Sequence, residues 1–410
     1  MKGPGVARLD LAVAKQSIKA ELERRTDDLL ALNHAIHADP ELSGEEFRAA
    51  ERIAFVLDDA GFEVEVGAYG MPTAIEALYG DGDLTVVICC EYDALPGIGH
   101  GCGHNVIAAA GLGAALALAP LAADAGLRIK LLGTPAEEHG GGKIELLREG
   151  AWEDADFSLM VHGMSGTDIS ASLKLYTAVD RFDIIFTGKG AHAASAPWAG
   201  INALSAATLA LNAIGFLRQH MMQGVSMNAI ISQGGTATNI ISEQAVVQVE
   251  VRAFEIAIWR DVKKRVLACF EGAAIATGCS WEYRRTEYAY APVDPDPQLA
   301  KLWDDNLIAG GRTVDHTGAG GGGSTDMGNV TQVLPAIHPT IAFLGETAIP
   351  HTAEFATAAI TAAADQAMLD GAQGLAATVL DVALNPALRK HYQDLKAARP
   401  AGATQVSLES

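Results

Sequence analysis

Basic residues are scarce in this chain: 29 lysines and arginines stand against 50 aspartates and glutamates, a formal net charge of −21. A field of that sign repels polyanions, so nucleic acid and anionic membrane are set aside as partners. The acid excess itself needs no more than a solvated surface to explain it. Cysteine is also sparse. The five residues Cys89, Cys90, Cys102, Cys269 and Cys279 are too few and too scattered for a disulfide framework. No basic stretch followed by an apolar one opens the chain, whose start, MKGPGVARLDLAVAKQ, is mixed and polar. The longest apolar stretch, Val106 to Ala123, is rich in alanine and glycine, contains Pro120 and lacks aromatic anchors, so it reads as a buried helix and not a membrane span. Together these absences predict a protein of a reducing cytoplasm.

What is present describes an ordinary globular chain, 49% hydrophobic and 19% charged. At 410 residues it exceeds one comfortable core, which predicts two domains. Helical spacing runs from about 18 to 60, broken near Pro40, and Ser43 with Glu46 has the spacing of a capping box for a helix starting near Gly44. The apolar runs 84–90, 128–134 and 157–161 read as strands buried on both faces, separated by helices over 105–121 and 142–149. Such alternation predicts βαβ units and a mostly parallel sheet. From about 177 the rhythm changes to strand, helix, two strands, helix, strand, the order of a ferredoxin-like sandwich. The expected fold is therefore α/β: a discontinuous catalytic domain, 1–177 with 291–410, and an inserted βαββαβ lid over 178–290. After the lid come a helix (298–308), the glycine-rich run 318–323, an apolar segment (340–344), a closing helix (356–384) and a polar, frayed tail.

Each predicted strand of the parallel sheet ends in polar residues: Glu91 and Asp93, then Glu137 and Glu138, then His162. Open α/β sheets bind ligands at those carboxyl ends. Cys102 and His104 alternate with glycines that let the backbone approach an ion closely. Glu138 adds an oxygen, His162 a second imidazole, and His351 a donor from the distant C-terminal segment. This set suits Zn, Mn, Ni or Co and does not choose among them. A thiolate also bridges two cations, so one or two ions are expected. In the Glu137-Glu138 pair neighbouring side chains diverge, so we read Glu138 as ligand and Glu137 as the base that activates water, then as proton donor to the leaving nitrogen. The plain alternatives are solvated glutamates and a packed histidine, and His100 stands as an alternative donor to His104.

Four motifs in order, Glu91-Tyr-Asp-Ala-Leu-Pro-Gly-Ile-Gly-His-Gly-Cys-Gly-His-Asn105, Pro135-Ala-Glu-Glu138, Gly188-Lys-Gly-Ala-His-Ala-Ala194 and Gly323-Ser-Thr-Asp-Met-Gly-Asn329, give a family resemblance. The chain resembles the amidohydrolase branch of the aminoacylase/carboxypeptidase metallopeptidases, nearest to p-aminobenzoyl-glutamate hydrolase subunits and dipeptidases acting on β-alanyl-lysine-type substrates. The resemblance implies metal-ligand positions at Cys102, His104, Glu138, His162 and His351, a base at Glu137, and at Asp93 an acid that orients a ligand. It also implies a homodimer through the lid, in which His192 reaches the other subunit's site and stabilises an oxyanion. Asn239 and Arg252 match lid positions near the substrate. Read alone, His192 is equally a turn residue and Arg252 a surface ion pair. Asn105 departs from the acid found there in many members, and Glu91 stands where other branches carry a metal-binding histidine. Both departures leave the number of ions open.

The expected activity is hydrolysis of a C–N bond, the amide of an N-acyl or N-aroyl amino acid or an unusual dipeptide. Two alternatives remain at this point: an arylamine deaminase releasing ammonia, and a non-catalytic metal-binding relative.

Overall fold

Leu84–Cys90 carries no polar alternation, and all seven residues are buried. A strand of that kind needs cover on both faces. The computed structural model describes residues 9–173, 176–317 and 321–405, and in it this strand lies within a six-stranded sheet. It pairs in parallel with Leu127–Gly133 on one side and Phe157–Leu159 on the other, and Ala336–Ile337 extends the parallel set. The opposite edge is antiparallel, formed by Ile75–Tyr79 and Glu63–Val66. Neither edge strand is anticipated above, although Glu63-Val-Glu-Val66 alternates as a half-exposed strand should.

Helix His104–Leu118 lies against the central strand with all fifteen residues buried. Its small side chains allow close contact: a Cβ at Gly111 would sit 2.9 Å from the Cys89 carbonyl oxygen. Helices Leu11–Ala38 and Ala362–Leu384 pack around it. Two helical stretches, His104–Ala125 and Ala362–Leu384, are long and apolar enough to cross a membrane, but 83% and 72% of their apolar windows are buried inside the protein.

A separate antiparallel sheet contains Ala178–Thr187, Ser226–Gln233, Gln244–Ala253 and Ser280–Arg285. Its spatial order is fourth, first, third, second, and helices Ala203–Leu217 and Ile256–Thr277 pack against it. That is the ferredoxin-like arrangement. Phe182, Ile184 and Phe186 join Trp259, Val266 and Phe270 in a core drawn only from 178–289, whereas the buried members of the main core come from 14–171 and 299–392. By the two-residue period of a strand, Val179 and Arg181 point the other way, into a cleft facing the first sheet.

Three local expectations are corrected. Helix Phe47–Asp59 has no side-chain cap. The Ser43 hydroxyl donates instead to Asp93 Oδ2 (2.7 Å), and Glu46 accepts from the Gly44, Ala136 and Thr73 donors. Tertiary partners outbid the local motif. The single closing helix is two, Ala353–Ala358 and Ala362–Leu384. The tail is a further helix, Pro386–Ala398, docked through the buried Tyr392, whose hydroxyl donates to Asp296. Of the glycine-rich run, positions 318–320 lie outside the described residues.

Phe270 fills the lid core against Phe186, ring centroids 6.1 Å apart. Truncation of a buried phenylalanine costs about 3–5 kcal/mol through lost burial and the cavity left behind. Phe270→Ala should therefore lower the denaturant midpoint markedly; an unchanged midpoint would contradict this packing.

Candidate metal centre

The carboxyl ends of the parallel strands deliver the polar residues to one place. Leu84–Cys90 leads into Glu91 and Asp93, Leu127–Gly133 into Glu137 and Glu138, and Phe157–Leu159 into His162. His104 opens the buried helix, and the segment after Thr340–Leu344 brings back His351. Cys102 Sγ lies 3.5 Å from His162 Nε2. His104 Nε2 lies 3.5 Å from Glu91, 3.7 Å from Glu138 and 3.9 Å from Glu137. His351 Nε2 lies 3.6 Å from Glu138. The donor atoms form three groups, each spanning no more than 4.8 Å: Cys102/His104/His162, Cys102/Glu138/His351, and Glu91/His104/Glu137.

His104 Nε2, Glu138 Oε1 and Glu91 Oε2 are buried without a hydrogen-bond partner. Orphaned polar atoms in a protein interior are costly, and three of them facing one another call for a shared occupant. With three carboxylates and a thiol assembled there, a divalent cation fits the donor set.

The surroundings fix these donors. His104 Nδ1 donates to Asp93 Oδ1 (2.9 Å), which leaves Nε2 turned to the cluster. The other Asp93 oxygen accepts from Ser43 Oγ and from the Glu138 backbone N–H (2.9 Å). One carboxylate thus holds two donors in place, as outer-shell acids do. His162 Nδ1 donates to the Gly163 carbonyl (2.8 Å) and so aims Nε2 inward. Ala136 (φ +60°) and His351 (φ +67°) adopt left-handed backbone that costs a non-glycine residue about 1–3 kcal/mol, strain that clusters at functional sites. The Ala136 turn is held by Glu46, and the Tyr290 hydroxyl donates to the Glu137 carbonyl (2.7 Å). His351 N donates to Gly101 O (2.8 Å).

Electrostatics follow from this crowding. Burial, then the Glu91 and Glu138 carboxylates, push Glu137 well above the ordinary carboxylate range. Burial and Glu138 likewise raise the Cys102 thiol. Burial opposes charge on His104, yet Asp93 and Cys102 carry its pKa above the usual imidazole value. Burial and His104 press His162 down to about 4. The cluster as a whole draws positive charge.

Not every expected residue sits here. Asp93, Cys102, His104, Glu137, Glu138, His162 and His351 come together, while His192 and Asn239 lie on exposed lid loops outside the cleft, joined to each other by Ala193 N donating to Asn239 O. Arg252 lines the cleft, but its guanidinium is engaged by Glu250, Gly322 and Ser324. Asn105 bonds Asn33 and the Ala359 carbonyl, and His100 belongs to none of the three donor groups. One charged residue escapes the sequence reading. Fully buried Lys143 donates to Glu91 and to Asp326 (2.7 Å), and its backbone N–H to Asp326 Oδ2 (2.8 Å). A lone lysine after a glycine run gives no signal of that role; Asp326 is marked only by its place in the Ser-Thr-Asp motif.

Asp93→Asn keeps the shape of the side chain but removes the charge that orients His104. Outer-shell losses of this kind weaken metal binding about 10–100-fold. Chelator competition should show that loss with the fold intact, and unchanged affinity would contradict the orienting contact.

Known proteins share this architecture. Residues 81–381 match the model of peptidase family M20/M25/M40. Xaa-Arg dipeptidase of Mus musculus is 36% identical over 397 residues, covering 92% of this chain and 91% of that one. One of the p-aminobenzoyl-glutamate hydrolase subunits of Escherichia coli is 33% identical, over 65% of this chain and 59% of its own. A crystal structure of a dinuclear metal-binding M20 peptidase from Bacillus subtilis superposes with a TM-score of 0.71 at 21% identity, covering 88% of this chain and 99% of that one. The resemblance given by the four motifs is thereby established, and the chain is an enzyme that hydrolyses amide or peptide C–N bonds. The lid order, the strand-end cluster and this similarity along nearly the whole chain lead to one conclusion: it belongs to peptidase family M20/M25/M40.

Proposed function

We propose that this enzyme cleaves the amide of an N-acyl or N-aroyl amino acid, or of an unusual dipeptide, with Glu137 as general base. The observation that carries the reading is the placement of Glu137 beside orphaned cation donors in a cleft of about 880 Å³. Leu95, Met164, Ile169, Tyr176 and Ile349 give that cleft an apolar wall suited to an acyl or aryl group. The relatives named above act on a dipeptide and on an aroyl-glutamate, in agreement with such substrates. They lend nothing to the deaminase alternative.

Cys102, Glu138 and His351 would hold one cation, and Cys102, His104 and His162 a second, with the thiolate shared. Such ions supply Lewis acidity, which polarises a carbonyl and lowers the pKa of water from 15.7 to about 7. Glu137 takes the proton of the attacking water and returns it to the leaving nitrogen. A raised pKa makes the Glu137 carboxylate the stronger base toward that water. Tyr290 anchors the Glu137 backbone carbonyl and so fixes where the side chain starts.

Glu137→Gln should retain bound metal by elemental analysis while kcat falls about 10²–10⁴-fold, the usual worth of a positioned acid–base group. Retained turnover would refute the base.

His192 reaches no part of the cleft in its own chain, so its catalytic use requires a second copy. We propose a dimer in which each lid lends His192 to the other subunit as an oxyanion donor. Mixed Glu137→Gln and His192→Ala subunits then contain one intact composite site and regain activity. Failure to regain it in demonstrated heterodimers would contradict the exchange.

A further inference from the structure

Two tyrosines line the cleft, Tyr176 and Tyr290, and their hydroxyls differ in what they hold. The Tyr290 hydroxyl is committed, donating to the Glu137 carbonyl (2.7 Å). The Tyr176 hydroxyl has no hydrogen-bond partner among the described residues, yet it is not sealed from the cleft as the Ser165 and Thr340 hydroxyls are. Its ring belongs to the apolar wall, and the polar tip is left for a ligand. The ring is also held in place. Tyr176 forms a parallel bridge with Gly323, and the next residue repeats the tie: Thr177 N donates to Gly323 O (2.9 Å), and its hydroxyl pairs with Ser324 Oγ (3.0 Å). A Cβ at Gly323 would sit 3.7 Å from Tyr176 Cδ1, so the ring lies against that glycine. It meets the buried His338 ring at 83°, centroids 4.7 Å apart, and His338 lies 5.6 Å from the ring of His162. Three rings in line thus lead from a cation donor to the phenol.

The surroundings decide what that hydroxyl can do. Burial first, and then Cys102, Glu91 and Glu137, hold the phenol above the usual tyrosine range. It keeps its proton, so it is a donor that brings no charge of its own. Those neighbours also put it on the side of the cleft where the base and the cation donors stand. When water adds to an amide there, a C–O bond forms, the carbonyl π pair moves onto oxygen, and Glu137 takes the water proton. We infer that the Tyr176 hydroxyl is a catalytic hydrogen-bond donor to the carbonyl oxygen as it becomes the tetrahedral oxyanion. The phenol stabilises that charge without giving up its proton. A donor already aimed needs no reorganisation while the charge develops. This rests on the amide-hydrolase reading above, and it requires no second copy, because Tyr176 and Glu137 come from the same chain.

Tyr176→Phe deletes the hydroxyl and keeps the ring. On N-acyl amino acids and dipeptides, kcat of the metal-loaded variant should fall about 10²-fold, the worth of one oxyanion donor, while KM, bound metal and the unfolding midpoint stay nearly unchanged. Calorimetry supplies a readout apart from turnover. A phosphinic analogue of the substrate, whose tetrahedral P–O⁻ mimics the intermediate, should bind more weakly by a similar factor, and the released amino acid should bind as before. Wild-type kcat in Tyr176→Phe would overturn the inference. So would a loss confined to KM, which would make the phenol part of the pocket wall alone. A lower kcat with wild-type affinity for the phosphinate would overturn it too, by assigning the hydroxyl a structural role. Wild-type enzyme that turns over no N-acyl amino acid or dipeptide would defeat the parent reading, whereas turnover indifferent to the phenol defeats this inference alone.

Discussion

Negative charge concentrated out of water is the constraint on which the rest of this molecule depends. Glu91, Asp93, Glu137, Glu138 and Asp326 lie together at the ends of parallel strands with the Cys102 thiol. Carboxylates so crowded and desolvated destabilise a fold unless positive charge is supplied. The protein supplies part of it itself. Lys143, wholly buried, joins Glu91 to Asp326, and Asp93 is paired with His104. The remainder is a set of orphaned donors that suits a cation. Function and stability meet in one electrostatic account.

The fold can be understood as the means of tolerating that cluster. Strands buried on both faces end together, so their following loops converge. The alanine- and glycine-rich helix behind them packs tightly against the central strand and brings His104 to its first turn. Strained turns at Ala136 and His351 are held by Glu46 and by the Gly101 carbonyl, each from a different part of the chain. The lid adds a charged sheet face opposite, with Arg252 spanning to Ser324 and closing the cleft on that side.

Much of this was legible in the sequence where a pattern is local. The unbroken apolar run 84–90 marks a central strand, and the strand–helix alternation of 178–285 marks the lid. The convergence of Cys102, His104, Glu137, Glu138 and His162 could be read because each follows a recognisable strand or glycine motif, whereas His351, on a distant segment, is marked as a ligand only by the family resemblance. Where partners are remote, the reading failed. Ser43 and Glu46 have capping-box spacing, yet Asp93, Thr73 and Ala136 claim them, 27 to 90 residues away. Lys143 carries no local mark of its role until the fold places it between Glu91 and Asp326. Arg181 and Arg252 look alike as letters, and only the fold shows that the first pairs with Glu250 and Glu287 and the second with Glu250, Gly322 and Ser324. The docked C-terminal helix was missed because its polar surface conceals one buried tyrosine, Tyr392.

The account stands most directly on where a cation binds. Anomalous diffraction from crystals of the protein loaded with zinc or manganese measures that position without reference to activity. The account predicts density within bonding distance of Cys102 Sγ, about 2.3 Å for zinc, shared with Glu138 and His351 or with His104 and His162. Strong density elsewhere, with these five side chains bare, would contradict it.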